Sequence, residues 1–184
     1  MLQKILSSCR QMEFMNIFRC LKLRTIQLNN LAKLKELSVY YNQEQSVEID
    51  VPNLESLTRE GVGYLHDNMP RMSKFTNLKL LVFDHIGISD NFFDHFRTKL
   101  PHVEDLKITS CDLLNTVKIS SESLKLIQLK FNKKLEELQV DAPNIVRFAC
   151  MGASIPRVGL LLPQVIGNRE FICLFPLNNQ IDNS

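Results

Sequence analysis

One short pattern of apolar residues recurs along this 184-residue chain at intervals of 20 to 25 residues. Two apolar residues stand three positions apart, a third follows two positions later, and Asn or Cys comes three positions after that. The pattern is complete in Met12–Cys20, Leu34–Asn42, Val103–Cys111 and Leu124–Asn132. Weaker copies without the Asn or Cys begin at Leu54, Leu78 and Ile145. A unit this short cannot bury its own apolar face and must stack on its neighbours.

The spacing L-x-x-L-x-L-x-x-N/C is the signature of leucine-rich repeats. It predicts an α/β fold, a right-handed leucine-rich-repeat solenoid with a parallel β-sheet on the concave face and short strands or helices on the convex face. We expect a repeat domain over residues 1–155, with about seven coils and an incomplete first coil. Residues 156–184 are expected to form a C-terminal capping segment and a frayed tail, with one further strand at Phe171–Phe175.

The return segments between concave strands are expected to be of two kinds. Alternating apolar residues predict short convex strands at residues 25–28, 47–49, 117–119 and 138–140. Asp90–Leu100 places its phenylalanines on one stripe and predicts a single helix, as Gly63–Met72 does more weakly. Ser89 or Asp90 is the expected N-cap of the first helix, and Pro101 its expected end.

The sequence Asp-x-Pro-Asn occurs at Asp50–Asn53 and again 91 residues later at Asp141–Asn144. Proline cannot donate to a sheet ladder, so each convex strand is expected to end there. The asparagine amide is suited to holding the backbone groups of a turn. We therefore interpret the repeated sequence as a structural turn rather than a ligand-binding site.

Nothing in the sequence predicts catalysis, and we expect a protein that is not an enzyme and that needs no cofactor and no metal. The signatures of phosphate-binding loops, nucleophile elbows and zinc proteases are missing. Cys20 and Cys111 fall in the Asn/Cys position of the repeat and are expected to bond to loop backbone. Asp84–His85 and Asp94–His95 are adjacent pairs, and adjacent residues do not share a face of a regular strand or helix.

Charge and hydropathy name no nucleic-acid or membrane partner. Lys and Arg number 22 against 20 Asp and Glu, which gives a net charge of only +2. Lys130, Lys133 and Lys134 are followed by Glu136 and Glu137 and are interpreted as a solvated face. The chain shows no apolar run of about 18 residues and no signal-peptide pattern, and its five cysteines form no disulfide or zinc pattern. We expect a cytoplasmic or nuclear protein.

The concave sheet is the remaining candidate surface, because the residues that flank each inward apolar position face outward there. Aromatic residues in the first two coils predict a partner patch around Phe14, Phe18 and Tyr40, since aromatics commonly anchor interfaces. The partner-binding residues expected on this face are Phe14, Asn16, Phe18, Ser38, Tyr40, Thr58, Val82, Asp84, Lys107, Thr109, Gln128 and Lys130.

A more specific resemblance is carried by Leu100–Cys111, Leu114–Ile119 and Leu135–Asn144. There, C-x-x-L-x-x-V-x-I segments alternate with D-A-P-N turns, and over residues 1–155 the chain resembles the leucine-rich-repeat region of plant F-box/LRR proteins. The resemblance implies a protein–protein interaction module like the substrate-recognition repeats of an SCF-type E3 ubiquitin ligase adaptor.

In that family an F-box docks on a Skp1-type adaptor. Under the 91-residue shift, residues 1–10 match the back half of a coil, so we expect no F-box there and no Skp1-type adaptor as a partner. Two alternatives stay open: a ligand-sensing leucine-rich-repeat fragment of an immune-receptor type protein, and a truncated product with no independent activity.

Overall fold

A computed structural model of the chain describes residues 9–18, 20, 25–29, 31–42, 46–64, 75–94, 96–152, 154–161 and 170–175. Parallel β-strands dominate these residues, which confirms the predicted leucine-rich-repeat solenoid class. In chain order the strands are β1 (Phe14–Phe18), β2 (Thr25–Asn29), β3 (Glu36–Asn42), β4 (Ser46–Asp50), β5 (Ser56–Tyr64), β6 (Leu80–Gly87), β7 (Asp105–Thr109), β8 (Thr116–Ser120), β9 (Leu126–Lys130), β10 (Glu137–Asp141), β11 (Arg147–Met151), β12 (Arg157–Leu161) and β13 (Glu170–Leu174).

Eight strands form the larger sheet, which corresponds to the predicted concave sheet, in the order β1-β3-β5-β6-β7-β9-β11-β13. Seven of them lie where the repeat pattern places concave strands, and β13 confirms the strand expected at 171–175. Equivalent positions of neighbouring coils are in register. The first inward-facing row is Met15, Leu37, Leu57, Leu81, Leu106, Ile127, Phe148 and Phe171.

The second inward-facing row contains Arg59, which is only 1% exposed. Its partners in register are Val39 on β3 and Phe83 on β6, both apolar and buried. A buried guanidinium costs free energy unless it is paired and hydrogen-bonded. The repeat pattern does not predict a buried arginine, because the third position of its complete copies is apolar.

The predicted convex strands are present as β2, β4, β8 and β10. They form a two-stranded sheet, β2-β4, and a three-stranded sheet, β12-β10-β8. Strand β12 was not expected, and it pairs in register with β10. Both the concave and the convex sheet therefore continue past residue 155. Among the described residues, no helix is long and apolar enough to span a membrane.

The single helix predicted for Asp90–Leu100 is wrong, because the structure has two short pieces there. A 3-10 helix, Asp90–Phe93, ends where Asp94 takes an extended backbone, and an α-helix follows at Phe96–Lys99. The predicted apolar stripe is nevertheless present, since Phe93 and Phe96 are buried and their rings stack.

The structure confirms Ser89, one of the two expected residues, as the N-cap. Ser89 occupies the cap position, but its hydroxyl donates to Asn91 Oδ1 rather than to helix backbone. Asp90 Oδ1 accepts a hydrogen bond of 2.9 Å from the backbone N–H of Asn115 in the next coil. The weaker helical prediction for Gly63–Met72 begins inside β5, and its residues from 65 onward lie outside the described part of the chain, as do residues 1–8 and 176–184.

The Asp-x-Pro-Asn turns join neighbouring coils. Asn53 Nδ2 donates to the carbonyl oxygen of Ala32 over 2.7 Å, and Asn144 Nδ2 donates to that of Glu122 over 2.7 Å. Both acceptors lie in the corresponding turn one coil earlier. The structural interpretation of this sequence is confirmed.

Candidate functional site

The outward side chains of the concave sheet form three columns that run across the strands. The first column is Phe14, Glu36, Ser56, Leu80, Asp105, Leu126, Arg147 and Glu170; the second is Asn16, Ser38, Thr58, Val82, Lys107, Gln128, Ala149 and Ile172; the third is Phe18, Tyr40, Glu60, Asp84, Thr109, Lys130, Met151 and Leu174. All twelve residues predicted from the sequence lie on these columns, and six of them are consecutive members of the second column.

The predicted aromatic patch is only partly assembled. The rings of Phe18 and Tyr40 meet edge to face, with centroids 5.2 Å apart. Phe14 lies four residues before Phe18 on the same strand and so stands about 13 Å away. Phe14 and Phe18 are 63% and 60% exposed, respectively. The structure therefore offers one aromatic pair in the third column and a separate ring in the first.

A row of alternating charges lies one residue before the concave strands. Its members are Glu13, Lys35, Glu55, Lys79, Glu104 and Lys125. Neighbouring coils form ion pairs along it, with N–O distances of 3.2 Å, 3.4 Å and 2.7 Å in the three Glu–Lys pairs. Exposed pairs of this kind contribute about 1 kcal/mol or less each. We call this row the edge ladder. It was not predicted from the sequence, although charges of alternating sign recur there at the spacing of the coils.

Charges on the four inner strands of the concave sheet, here called the central charges, are arranged differently. Glu60 and Asp84 stand opposite each other on β5 and β6, and Lys107 and Lys130 follow on β7 and β9. All four side chains are half-buried. Glu60, Lys107 and Lys130 form no ion pair with any residue that the structure describes. The edge charges are thus neutralised within the chain, whereas Glu60, Lys107 and Lys130, the unpaired central charges, are not.

The side chains of Asp84 and His85 contact each other, although adjacent residues of a regular strand face opposite sides. His85 Nδ1 and Asp84 Oδ1 are 2.7 Å apart. The two adjacent residues meet because His85 has a left-handed backbone, with φ of 54°, where the alternation of a regular strand no longer holds. His95 of the other pair lies outside the described residues.

Ser110 and Phe131 repeat this left-handed geometry after β7 and β9, with φ of 52° and 55°. Phe131 is 57% exposed and directly follows Lys130. It adds an aromatic side chain at this edge of the concave sheet that sequence reasoning missed, because nothing in the repeat pattern signals a left-handed phenylalanine.

A family model for the leucine-rich repeats of the FBD-associated F-box protein At5g56370 matches residues 60–160, more than half of the chain. The chain belongs to this family of F-box-associated leucine-rich repeats. Comparisons with curated proteins and with solved structures gave no significant match. The family match begins at Glu60 and includes Asp84, Lys107 and Lys130, so the central charges of the concave face lie within it.

The cysteines of this F-box-associated repeat have the structural role predicted for them. Cys111 Sγ lies 3.4 Å from the carbonyl oxygen of Thr109, to which it donates, and Cys20 Sγ is directed similarly at Phe18. Burial raises the pKa of the Cys111 thiol from the ordinary 9.0 to about 12. Burial likewise raises the pKa of Cys150 to about 11. Since the thiolate is the nucleophile and the metal-binding form, these two thiols are chemically quiet near neutral pH.

A cleft of about 560 Å³ lies on the convex side of the F-box-associated repeat. The Phe96–Lys99 helix forms one wall, and Ile119, Val140 and Leu160 contribute to its lining. A helix is about 10 Å across and stands higher than a strand, so a step forms where the two kinds of return meet. Arg97 and Lys118, two cations that line the cleft, pair with Glu122 and Glu137. Across the described ranges, no group of three or more His, Cys, Asp or Glu could hold a metal ion.

Proposed function

We propose that this chain is the substrate-recognition repeat region of an SCF-type E3 ubiquitin ligase adaptor. It binds a protein on its concave face and catalyses no reaction itself. Membership of the F-box-associated repeat family supports a role in a ubiquitin ligase adaptor. The observation that carries the proposal is that Glu60, Lys107 and Lys130 are unpaired on the inner strands of the concave sheet, whereas the Glu and Lys residues of the edge ladder are paired.

Paired and unpaired charges differ in what they offer a partner. A charge that is already neutralised within the chain contributes little to the free energy of binding a partner. Glu60, Lys107 and Lys130 are half-buried and pair with no described charge. Complementary charges on a partner would therefore raise the specificity of binding and the rate of association. The Phe18–Tyr40 pair adds an apolar contact of the kind that anchors interfaces.

The concave sheet is large enough for such an interface. Eight strands at about 4.8 Å spacing extend over about 34 Å, and five residues of each strand over about 17 Å. This footprint is roughly 570 Å² in projection, against about 800 Å² of accessible surface per partner in an ordinary interface. The side chains that rise from the sheet and the flanking edges contribute the rest.

A fusion of an F-box to the 184-residue chain tests the proposal. When the fusion is expressed in cells, we expect at least one protein to gain ubiquitin at least tenfold over cells that express the F-box alone. Substitution of Lys107→Glu together with Lys130→Glu removes this gain. The measurement is quantitative mass spectrometry of ubiquitin-modified peptides.

The matched control makes the same charge change on exposed turn residues, with Lys33→Glu and Lys134→Glu. This variant should keep the ubiquitin gain of the unmodified chain. A fusion that modifies no protein, or a turn variant that loses as much as the concave variant, would contradict the proposal.

A further inference from the structure

We infer that the partner of the concave face is a helical segment with a cationic side chain over Glu60 and Asp84 and an anionic side chain, two turns away, over Lys107 and Lys130. The inference rests on the proposed function in that it names the partner of the same surface. It is carried by the placement of the four charges in the sheet.

Two carboxylates standing in register is an unfavourable arrangement for the chain alone. Glu60 and Asp84 are direct neighbours on β5 and β6, which places their strands about 4.8 Å apart. Like charges directly opposite each other destabilise a sheet. The edge ladder shows the reverse arrangement, with opposite charges one coil apart. Asp84 Oδ1 already lies 2.7 Å from His85 Nδ1, whereas Glu60 pairs with no described charge, so a partner cation beside Glu60 would offset the repulsion between the two carboxylates.

The two lysines have uncharged neighbours in their own columns. Val82 and Gln128 flank Lys107, and Thr109 and Met151 flank Lys130. Asp105 lies two residues before Lys107 on β7, yet the structure shows no ion pair between them. A carboxylate placed between Lys107 and Lys130 would therefore meet two cations that no described residue of the chain neutralises.

The distance between these two centres favours a helix. From the midpoint of β5 and β6 to the midpoint of β7 and β9 is two strand spacings, or about 10 Å. Helical residues seven apart share a face and are about 10.5 Å apart along the axis. Same-face residues of an extended chain are about 7 or 13 Å apart. A helix of about 10 to 12 Å diameter also fits the width of the sheet.

The aromatic pair gives the segment a polarity. Tyr40 is the neighbour of Glu60 on the side away from the lysines, and its ring contacts Phe18. An apolar side chain of the partner is therefore expected beyond the cation. The order along the helix, in either chain direction, is apolar, cationic, anionic.

Selection from a display library of random 16-residue peptides tests this inference on the immobilised 184-residue chain. We expect enriched peptides to carry Arg or Lys and Asp or Glu seven positions apart, with an apolar residue outside the cation. The charge-inverted chain, with Glu60→Lys, Asp84→Lys, Lys107→Glu and Lys130→Glu, should enrich the order apolar, anionic, cationic. A synthetic peptide selected on the natural chain should bind the inverted chain at least tenfold more weakly.

Two controls keep the result interpretable. The first control exchanges one edge pair, with Lys35→Glu and Glu13→Lys, and so reverses two charges away from the central charges. It should leave the enriched order unchanged. If the inverted chain does not fold, Lys107→Gln with Lys130→Gln should abolish the anionic preference while keeping the cationic one.

Enrichment without this charge order, or with the same order on the inverted chain, would overturn the inference. The two proposals can fail separately. Ubiquitin transfer by the F-box fusion without any charge order in the selected peptides would refute only the helical partner. The charge order without ubiquitin transfer to any protein would refute only the ligase role.

Discussion

Phe83→Ala is expected to lower the free energy of unfolding by about 3 to 5 kcal/mol, the range for truncating a buried aromatic side chain. Phe83 is fully buried in the second inward row, between Arg59 and Ile108. Its ring also meets that of Phe92 edge to face at 5.1 Å, a contact the truncation removes. Since domain stabilities are about 5 to 15 kcal/mol, this loss is a large fraction of the total.

The position of Phe83 in the solenoid adds a second expectation. Each coil contacts only its neighbours, so a cavity in β6 weakens the link between the coils before it and those after it. Urea denaturation followed by circular dichroism should show a lower midpoint and a broader transition. Phe131→Ala is the matched control, because this ring is 57% exposed, and it should cost at most about 1 kcal/mol. Equal losses in the two variants would contradict the assignment of Phe83 to the core.

Asn132→Ala is expected to cost about 2 to 4 kcal/mol, because the removed amide leaves two buried backbone groups unsatisfied. Asn132 Oδ1 accepts a hydrogen bond of 2.8 Å from the backbone N–H of Cys111, and Nδ2 donates over 3.2 Å to the carbonyl oxygen of Ile108. Both bonds are buried and join adjacent coils. The midpoint of denaturation should fall, and hydrogen exchange at the Cys111 amide should become faster.

Asn144→Ala provides the comparison. Asn144 also donates to the preceding coil, to the carbonyl oxygen of Glu122, but this bond is exposed and water can replace it. Its loss should therefore cost about 1 kcal/mol or less. If Asn144→Ala destabilises the protein as much as Asn132→Ala, burial of the repeat asparagine is not what holds the coils together.

The coil period and the inward rows could be predicted from the sequence because burial enforces them. Most concave strands present apolar residues at two alternating positions, as Leu106 with Ile108 and Ile127 with Leu129 do. Arg59 was not predicted because the pattern places an apolar residue at its position, although the register buries that position whatever its side chain. Periodicity fixes where a residue lies, and residue type only indicates how well it suits that place.

Features set by contacts between coils could not be predicted from local patterns. The helical segment between β6 and β7 is divided at Asp94. Asp90 accepts a hydrogen bond from Asn115, which lies in the next coil and is distant in the sequence. The left-handed backbone of Phe131 accompanies a 2.7 Å hydrogen bond from its N–H to the carbonyl oxygen of Met151. No property of phenylalanine favours that conformation, so only the assembled solenoid reveals it.

The positions of the twelve expected residues were predictable, since all of them lie on the outward columns of the concave sheet, and their role in binding stays a prediction. Their charge relations were not. The sequence shows Glu60 and Asp84 as two carboxylates 24 positions apart, and only the register of β5 and β6 makes them neighbours. The separation between the paired edge ladder and the unpaired central charges likewise depends on which residues stand opposite each other.

Photo-crosslinking from the two faces tests most directly whether the concave sheet is the recognition surface. Gln128 lies in the second column of the concave sheet, and Gln139 lies on convex strand β10. A photoreactive phenylalanine analogue at each position would be tested against the protein that the F-box fusion modifies. We expect a crosslink from position 128 and none from position 139. A crosslink from 139 without one from 128 would place recognition on the convex side and contradict the proposed function.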